Sequence, residues 1–330
     1  MAGLGGLILK SYVSISEQSL HVSVRSVPIK KYNTADRDKT VDQGLVSVFD
    51  KIREALKGKA ELPAPVVERK QADVPMVTPF SDVASEVSGD RKQSPDIVKG
   101  DIDHSGHMRI LARNDGDASK LGIDALAGSR NRMTVRYGQD DISGYLSGNG
   151  VLEIMTITKN GETLAAFPVS LAGRPNTARV TQVIECNNTY EGQVEAFLNG
   201  GTTTFFDVLY FRNRNTYFPG KDVRILLTGI AYVLSRSRPA SDKKQGDDDI
   251  LVRYENGDID DYVFRGIVQG VKDVTAFGKR AVVMKTEART GHDAKPVELY
   301  VCATENAITE KINPGDRITG IIWLQGFMVN

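Results

Sequence analysis

Residues 202–234, TTTFFDVLYFRNRNTYFPGKDVRILLTGIAYVL, run from a short apolar segment through a polar connector and a Pro-Gly turn into a long apolar segment. The same order returns further along. There KPVELYVCA (295–303) leads through a connector to INPGDRITGIIWLQGFM (312–328). Tyr232 and Phe327 each stand 12 residues beyond their turn glycines, Gly220 and Gly315, which are themselves 95 residues apart. Recurrence of one supersecondary pattern at a fixed spacing predicts two related β modules in tandem.

Within the first copy, residues 205–218 hold six of the chain's 23 aromatics, with two arginines and two asparagines between them. Alternate residues of a strand face opposite sides. A strand from Phe205 therefore turns Phe205, Asp207, Leu209 and Phe211 one way and Phe206, Val208 and Tyr210 the other. Both sets are mostly apolar, so the strand reads as covered on two faces, with Arg212–Asn215 as the loop after it. Tyr210, Arg212, Arg214 and Tyr217 are nevertheless the candidate nucleic-acid-binding residues. Rings beside guanidinium groups are what single strands stack on, and arginine is the better phosphate fork.

Beyond residue 108 no long helical period is visible. Short alternating or β-branched runs recur instead, among them VLEIMTITKNGETLAAFPVSL (151–171), whose Asn160-Gly161 is a hairpin-turn signal. Glycines within the later runs, Gly266, Gly270 and Gly278, mark bends where a sheet closes. A third strand, a connector at 305–311 and a final pair would then complete a small OB-like barrel. The fold expected is mainly β: tandem antiparallel sandwich or barrel modules over 108–238 and 239–330, the last OB-like.

Residues 1–60 read as a small α+β unit. A hairpin in SYVSISEQSLHVSVRSVPI (11–29) precedes an apolar stripe of Val41, Leu45, Val46, Phe49, Ile52 and Leu56 on a helix. Residues 61–107 carry Pro63, Pro65, Pro75, Pro79 and Pro95 among Ser, Asp, Glu and Lys, a flexible-linker composition.

The totals exclude several classes. Lys plus Arg equals Asp plus Glu, 42 against 42, so there is no global field for polyanions or anionic lipid. A local bias exists: 108–238 carries 15 basic and 12 acidic groups, 239–330 carries 12 and 15. No run approaches the ~20 apolar residues of a membrane span, and the start lacks a signal-peptide pattern; a cytoplasmic location without membrane contact is expected. Cys186 and Cys302 read as separate buried thiols.

Chemistry is sparse. Phosphate-cradling, nucleophile-elbow and zincin motifs are missing, and there are only four histidines. Asp101, Asp103, His104 and His107 are metal-binding types, but at the end of a linker they read as a solvated loop. The Asp247–Asp261 acidic segment lacks calcium-loop spacing. No cofactor or metal is expected. The leading expectation is a non-enzymatic binding protein for single-stranded nucleic acid. An assembly subunit docking a partner protein through residues 1–60 is second, and a metal-dependent hydrolase using the Asp-rich segment third.

Overall fold

The computed structural model describes residues 11–16, 19–26, 75, 97–100, 102, 104–112, 114–129, 131–148, 150–237, 249–291, 293–308 and 310–329. The chain divides into two compact units, Met1–Lys59 with Tyr254–Asp258, and Ala60–Arg253 with Ile259–Asn330. In the first, β1 (Ser11–Ser16) and β2 (Ser19–Ser26) form an antiparallel pair, as the alternation predicts. The helix expected over 41–56 lies outside the described residues, as does most of the segment read as linker.

The second unit is mainly β. Its first sheet is a meander of β4 (Asn131–Tyr137), β5 (Asp140–Ser147), β6 (Leu152–Lys159) and β7 (Glu162–Ser170). Asn160 and Gly161 close the β6–β7 hairpin at φ 51° and 89°, the left-handed pair that a tight hairpin turn needs. Two helices precede this sheet, the single turn α1 (Ser105–Met108) and α2 (Asp115–Gly128).

Helix α2 corrects the expectation that no helix follows residue 108. Gly116, Gly122 and Gly128 lower its propensity and blur its period. It forms because Asn114 caps it, accepting from the Asp117 N–H at 2.9 Å, and because tertiary packing takes over. Ala125 is buried, and Ala118 and Leu121, at helical spacing from it, pack on the same core.

The remaining strands join a ten-stranded sheet ordered β12-β13-β14-β15-β11-β16-β10-β9-β8-β3, with extra pairings β13–β16 and β11–β8. They are β3 (Ile97–Gly100), β8 (Pro175–Cys186), β9 (Gly192–Leu198), β10 (Gly201–Asp207), β11 (Asp222–Arg236), β12 (Ile250–Arg253), β13 (Asp261–Ala276), β14 (Lys279–Ala288), β15 (Val297–Thr304) and β16 (Arg317–Met328). The extra pairings close two five-strand circuits. One runs β8-β9-β10-β16-β11 and back to β8; the other runs β13-β14-β15-β11-β16 and back to β13. Strands β11 and β16 belong to both.

Equivalent hydrogen bonds recur in the two circuits. Gly220 N–H donates to the Val180 carbonyl (2.8 Å), whose own N–H donates to Lys221 (2.8 Å); Gly315 N–H donates to Val268 (2.7 Å), whose N–H donates to Asp316 (2.9 Å). Each contact sits where the receiving strand is bulged, after Val180 in β8 and after Val268 in β13. Both turn glycines have positive φ, 86° and 91°. The echo read from the two Pro-Gly runs therefore corresponds to matched geometry.

Sharing also corrects three boundaries. Spans 108–238 and 239–330 are not separate sheets, since β11 lies between β15 and β16. The final pair expected after residue 311 is one long strand, β16, which pairs with β11 along most of its length and with β13 and β10 besides. Finally, part of the segment read as linker is structured: β3 pairs in parallel with β8, and α1 begins at Ser105.

Two cores result. One joins the meander and α2 to Phe206, Leu226, Ile230, Trp323 and Phe327; the other gathers Phe205, Ile225, Leu227, Ala231, Ile322 and Leu324 with inward residues of β8–β9 and β13–β15. Strands β11 and β16 thus send alternate side chains into different cores, which explains their unbroken apolar runs. Cys186 and Cys302 are buried and unbridged, and burial pushes the Cys302 thiol up to about 12. Among the described residues no helix is long and apolar enough to cross a membrane.

Gly320 shows how closely the shared strands approach: a Cβ there would lie 2.1 Å from the Val233 carbonyl oxygen. Gly320→Ala is expected to cost roughly 3 kcal/mol through backbone displacement. Gly122→Ala, whose added carbon lies 3.6 Å from the Ala166 Cβ, should gain up to ~1 kcal/mol of helix propensity. Urea midpoints of both variants check the contrast.

Candidate functional site

Strand β10 ends at Asp207, short of the Phe211 limit expected from alternation. The Asp207 carboxylate accepts from the Leu209 N–H at 2.9 Å and from Asn213 Nδ2 at 3.2 Å, turning the chain into α3 (Tyr210–Asn213). Phe205 and Phe206 do face two different cores, as expected of a strand covered on both sides.

That turn decides the fate of the Arg and aromatic residues singled out above. Tyr210 and Tyr217 are each 1% exposed, their rings stacked on one another at 6.5 Å with planes 5° apart. Tyr210 donates its hydroxyl to Glu185 (3.1 Å), and Arg214 pairs with the same carboxylate (3.3 Å) while lying 5.1 Å over the Tyr137 ring and 5.5 Å over Tyr190. Arg212 is half-buried. The structure therefore brings Tyr210, Arg214 and Tyr217 together, but as an internal brace, and neither tyrosine offers a ring face to solvent.

Glu185 is the brace's anion. Burial pushes its carboxyl up, yet Lys99 at 2.6 Å, Arg214 and Tyr210 together hold it below the usual range. The β8–β9 loop that follows, residues 187–191, is the hinge between this brace and a second polar cluster. Asn188 Oδ1 accepts from the N–H groups of Tyr190 and Glu191, and Thr189 sits at φ 65°, strained for a β-branched residue. Tyr190 donates to Asp140 (3.0 Å), and Glu191 points the other way.

On that other side the sequence misleads. His104 and His107 are enclosed, contrary to the solvated loop expected of residues 101–107. His104 Nε2 lies 2.5 Å from Glu191 Oε1, and its Nδ1 lies 3.0 Å from His107 Nδ1. Asn188 Nδ2 donates to the second Glu191 oxygen. His107 stacks on Trp323 at 3.7 Å with planes 2° apart. Burial, and then the neighbouring His104, lower its pKa well below the usual histidine range and keep it neutral. Trp323 in turn donates to Asp260 at 3.1 Å.

His104, Asn188 and Glu191 form one end of a cleft of about 620 Å³ between α2 and the β6–β7 hairpin. The rest of its wall is apolar or small, including Ile102, Met108, Leu126 and Ala165, with Ile123 (69% exposed) and Leu164 (37%) also lining it. Thr156 also lines it, 1% exposed, and its hydroxyl has no hydrogen-bond partner among the described residues.

Glu191 and Thr156 escape sequence reasoning because their partners come from distant segments. The local signal was the Asn188 turn, which aims Glu191. Among the described residues no group of three or more His, Cys, Asp or Glu is placed to hold a metal ion; Asp101, Asp103, Asp247 and Asp248 lie outside them. No family model, curated protein or solved structure matches the chain.

Burial pushes the Asp207 carboxyl from 3.8 up to about 6, more than the Leu209 N–H offsets. The folded chain then holds this proton more tightly than the unfolded chain. Its contribution is most favourable below pH 4 and is lost as pH rises through about 6, by roughly 3 kcal/mol. Asp207→Asn keeps an acceptor for Leu209 but cannot ionise. Urea unfolding at pH 4 and pH 7 should show a smaller loss of stability for the variant; parallel profiles for the two proteins exclude this assignment.

Proposed function

We propose that this chain is a binding protein whose site is the cleft between α2 and the β6–β7 hairpin, and whose ligand is a small molecule with an apolar body and one polar end. The Thr156 hydroxyl carries the reading. A buried polar group without a partner costs about 1–3 kcal/mol, and one lining a cleft is matched by a ligand atom supplying the hydrogen bond. The small residues Gly122, Ala165 and Ala166 along the wall, and exposed Ile123 and Leu164, suit entry of an apolar chain.

Binding without turnover fits the histidine arrangement. Both ring nitrogens of His104 are engaged, by Glu191 and His107, so neither is directed at a bound molecule for proton transfer. Trp323 is the only tryptophan, and its ring lies 5.9 Å from that of His104, so its fluorescence reports occupancy of the cleft. Decan-1-ol is expected to shift this fluorescence saturably. Gly122→Leu, which fills the gap toward Ala166, should abolish the shift, and Thr156→Val should weaken binding about 3- to 10-fold. No saturable response from the natural chain excludes the cleft as a ligand site.

A second reading keeps single-stranded nucleic acid as ligand on different residues. The circuit β8-β9-β10-β16-β11, with α3 between β10 and β11, reads as an OB-like barrel, and its partner circuit as a second one; such barrels use the outer face of their second and third strands for single strands. Phe197 on β9 and Phe218 before β11 are 48% and 52% exposed. Lys221 lies 5.2 Å over the Phe218 ring, and Arg179 faces Phe197 across the β8–β9 ladder. Anisotropy of a labelled oligonucleotide at low salt should fall at least 5-fold in affinity for Phe197→Ala with Phe218→Ala, while Tyr210→Phe changes nothing. Binding indifferent to both phenylalanines ends this reading.

A further inference from the structure

We infer that the polar end of the cleft's ligand is a protonated amine, making the ligand class cationic amphiphiles. The inference rests on the reading of the cleft as a ligand site. Its ground is the charge of the wall. Among the described residues Glu191 is the only carboxylate that lines the cleft, and no lysine or arginine does. Arg214 is engaged with Glu185, and Lys159 with Asp140.

Glu191 is 4% exposed and receives one side-chain donor on each oxygen, His104 on Oε1 and Asn188 on Oε2. A carboxylate has about four lone-pair sites, so each oxygen can still accept. The Thr156 hydroxyl supplies another acceptor on the same wall. An ammonium group brings up to three donors and no acceptor, which matches that set. An alkyl carboxylate entering the same space brings no donor for Glu191 and sets a second negative charge against it in a desolvated setting. An alcohol brings a single donor and cannot fill the acceptor sites left on both Glu191 oxygens and on Thr156. Apolar side chains along Ile102, Met108 and Leu126 then receive the alkyl body.

Three ligands with one chain length separate the possibilities: decylamine, decan-1-ol and decanoate, each titrated at pH 7 below its micelle concentration and followed by Trp323 fluorescence. Decylamine is expected to bind at least 10-fold more tightly than decan-1-ol and 100-fold more tightly than decanoate. In Glu191→Gln the amine's advantage over the alcohol should vanish. Equal binding of amine and alcohol, or preference for decanoate, overturns the amine assignment but leaves the cleft a ligand site. Failure of all three to bind overturns both. Should Glu191→Gln prove unfolded by circular dichroism, the ligand series on the natural chain decides alone, with decyltrimethylammonium as a further arm. It keeps the charge and lacks N–H donors, and is expected between the amine and the alcohol; affinity below decanoate overturns the assignment.

Discussion

The antiparallel ladder between β11 and β16 is the constraint on which the rest of this molecule depends. Eleven residue pairs join the two strands, from Ile225 opposite Met328 to Arg236 opposite Ile318. Each strand also closes the other's circuit through a parallel contact, β11 with β15 and β16 with β10. A strand with both edges paired and both faces covered has no freedom to slip, because a shift of one residue would exchange Ile225 and Leu227 with Leu226 and Thr228 between two different cores. Gly320, Gly326 and Gly229 admit neighbouring groups at distances no Cβ would allow. Each fully buried large side chain along the ladder contributes roughly 2 kcal/mol, and Trp323, Phe327 and Leu324 are all within 1% of complete burial.

The architecture was readable where one physical rule acted alone. Alternation gave the β class, the Asn160-Gly161 pair gave a hairpin, and two Pro-Gly runs at equal offsets gave matched turns. Reading failed where distant segments decide the outcome. Gly320 and Gly326 carry no local sign that another strand presses close on them. Helix α2 lacked a strong period because Gly116, Gly122 and Gly128 interrupt its apolar face, and its cap and packing against the meander decide it instead. His104 and His107 looked solvated because the rings that enclose them, Phe167, Phe206 and Trp323, come from three other segments. Tyr210 and Tyr217 looked like a stacking platform, but the carboxylate that draws Tyr210 inward, Glu185, is 25 residues away.

Loop 187–191 and the strand end before it hold two of the six buried carboxylates among the described residues. Glu185 and Glu191 flank it, each 4% exposed, and each is compensated by side chains from other elements. Ion pairs this deep rarely add stability over apolar packing, though removal of one partner is costly. The backbone here is also held at an unfavourable angle at Thr189, a strain of about 1–3 kcal/mol. A region that combines buried ions with backbone strain is a poor choice for stability alone. Its position, bracing β8 and β9 on one side and lining the cleft on the other, accounts for both costs by giving Glu191 a fixed direction.

Mutual completion of the two circuits has a consequence for how the chain is made. Strand β11 leaves the ribosome long before β13, β14, β15 and β16 exist, so β8, β9 and β10 are left with a gap beside them and an apolar ribbon exposed on both sides. During that interval the nascent polypeptide offers an open template to any sticky segment nearby, including the same stretch on an adjacent polysome-bound copy. Exchange of β16 between two neighbours re-forms the same ladders with β10, β11 and β13, which gives this topology a route to domain-swapped pairs.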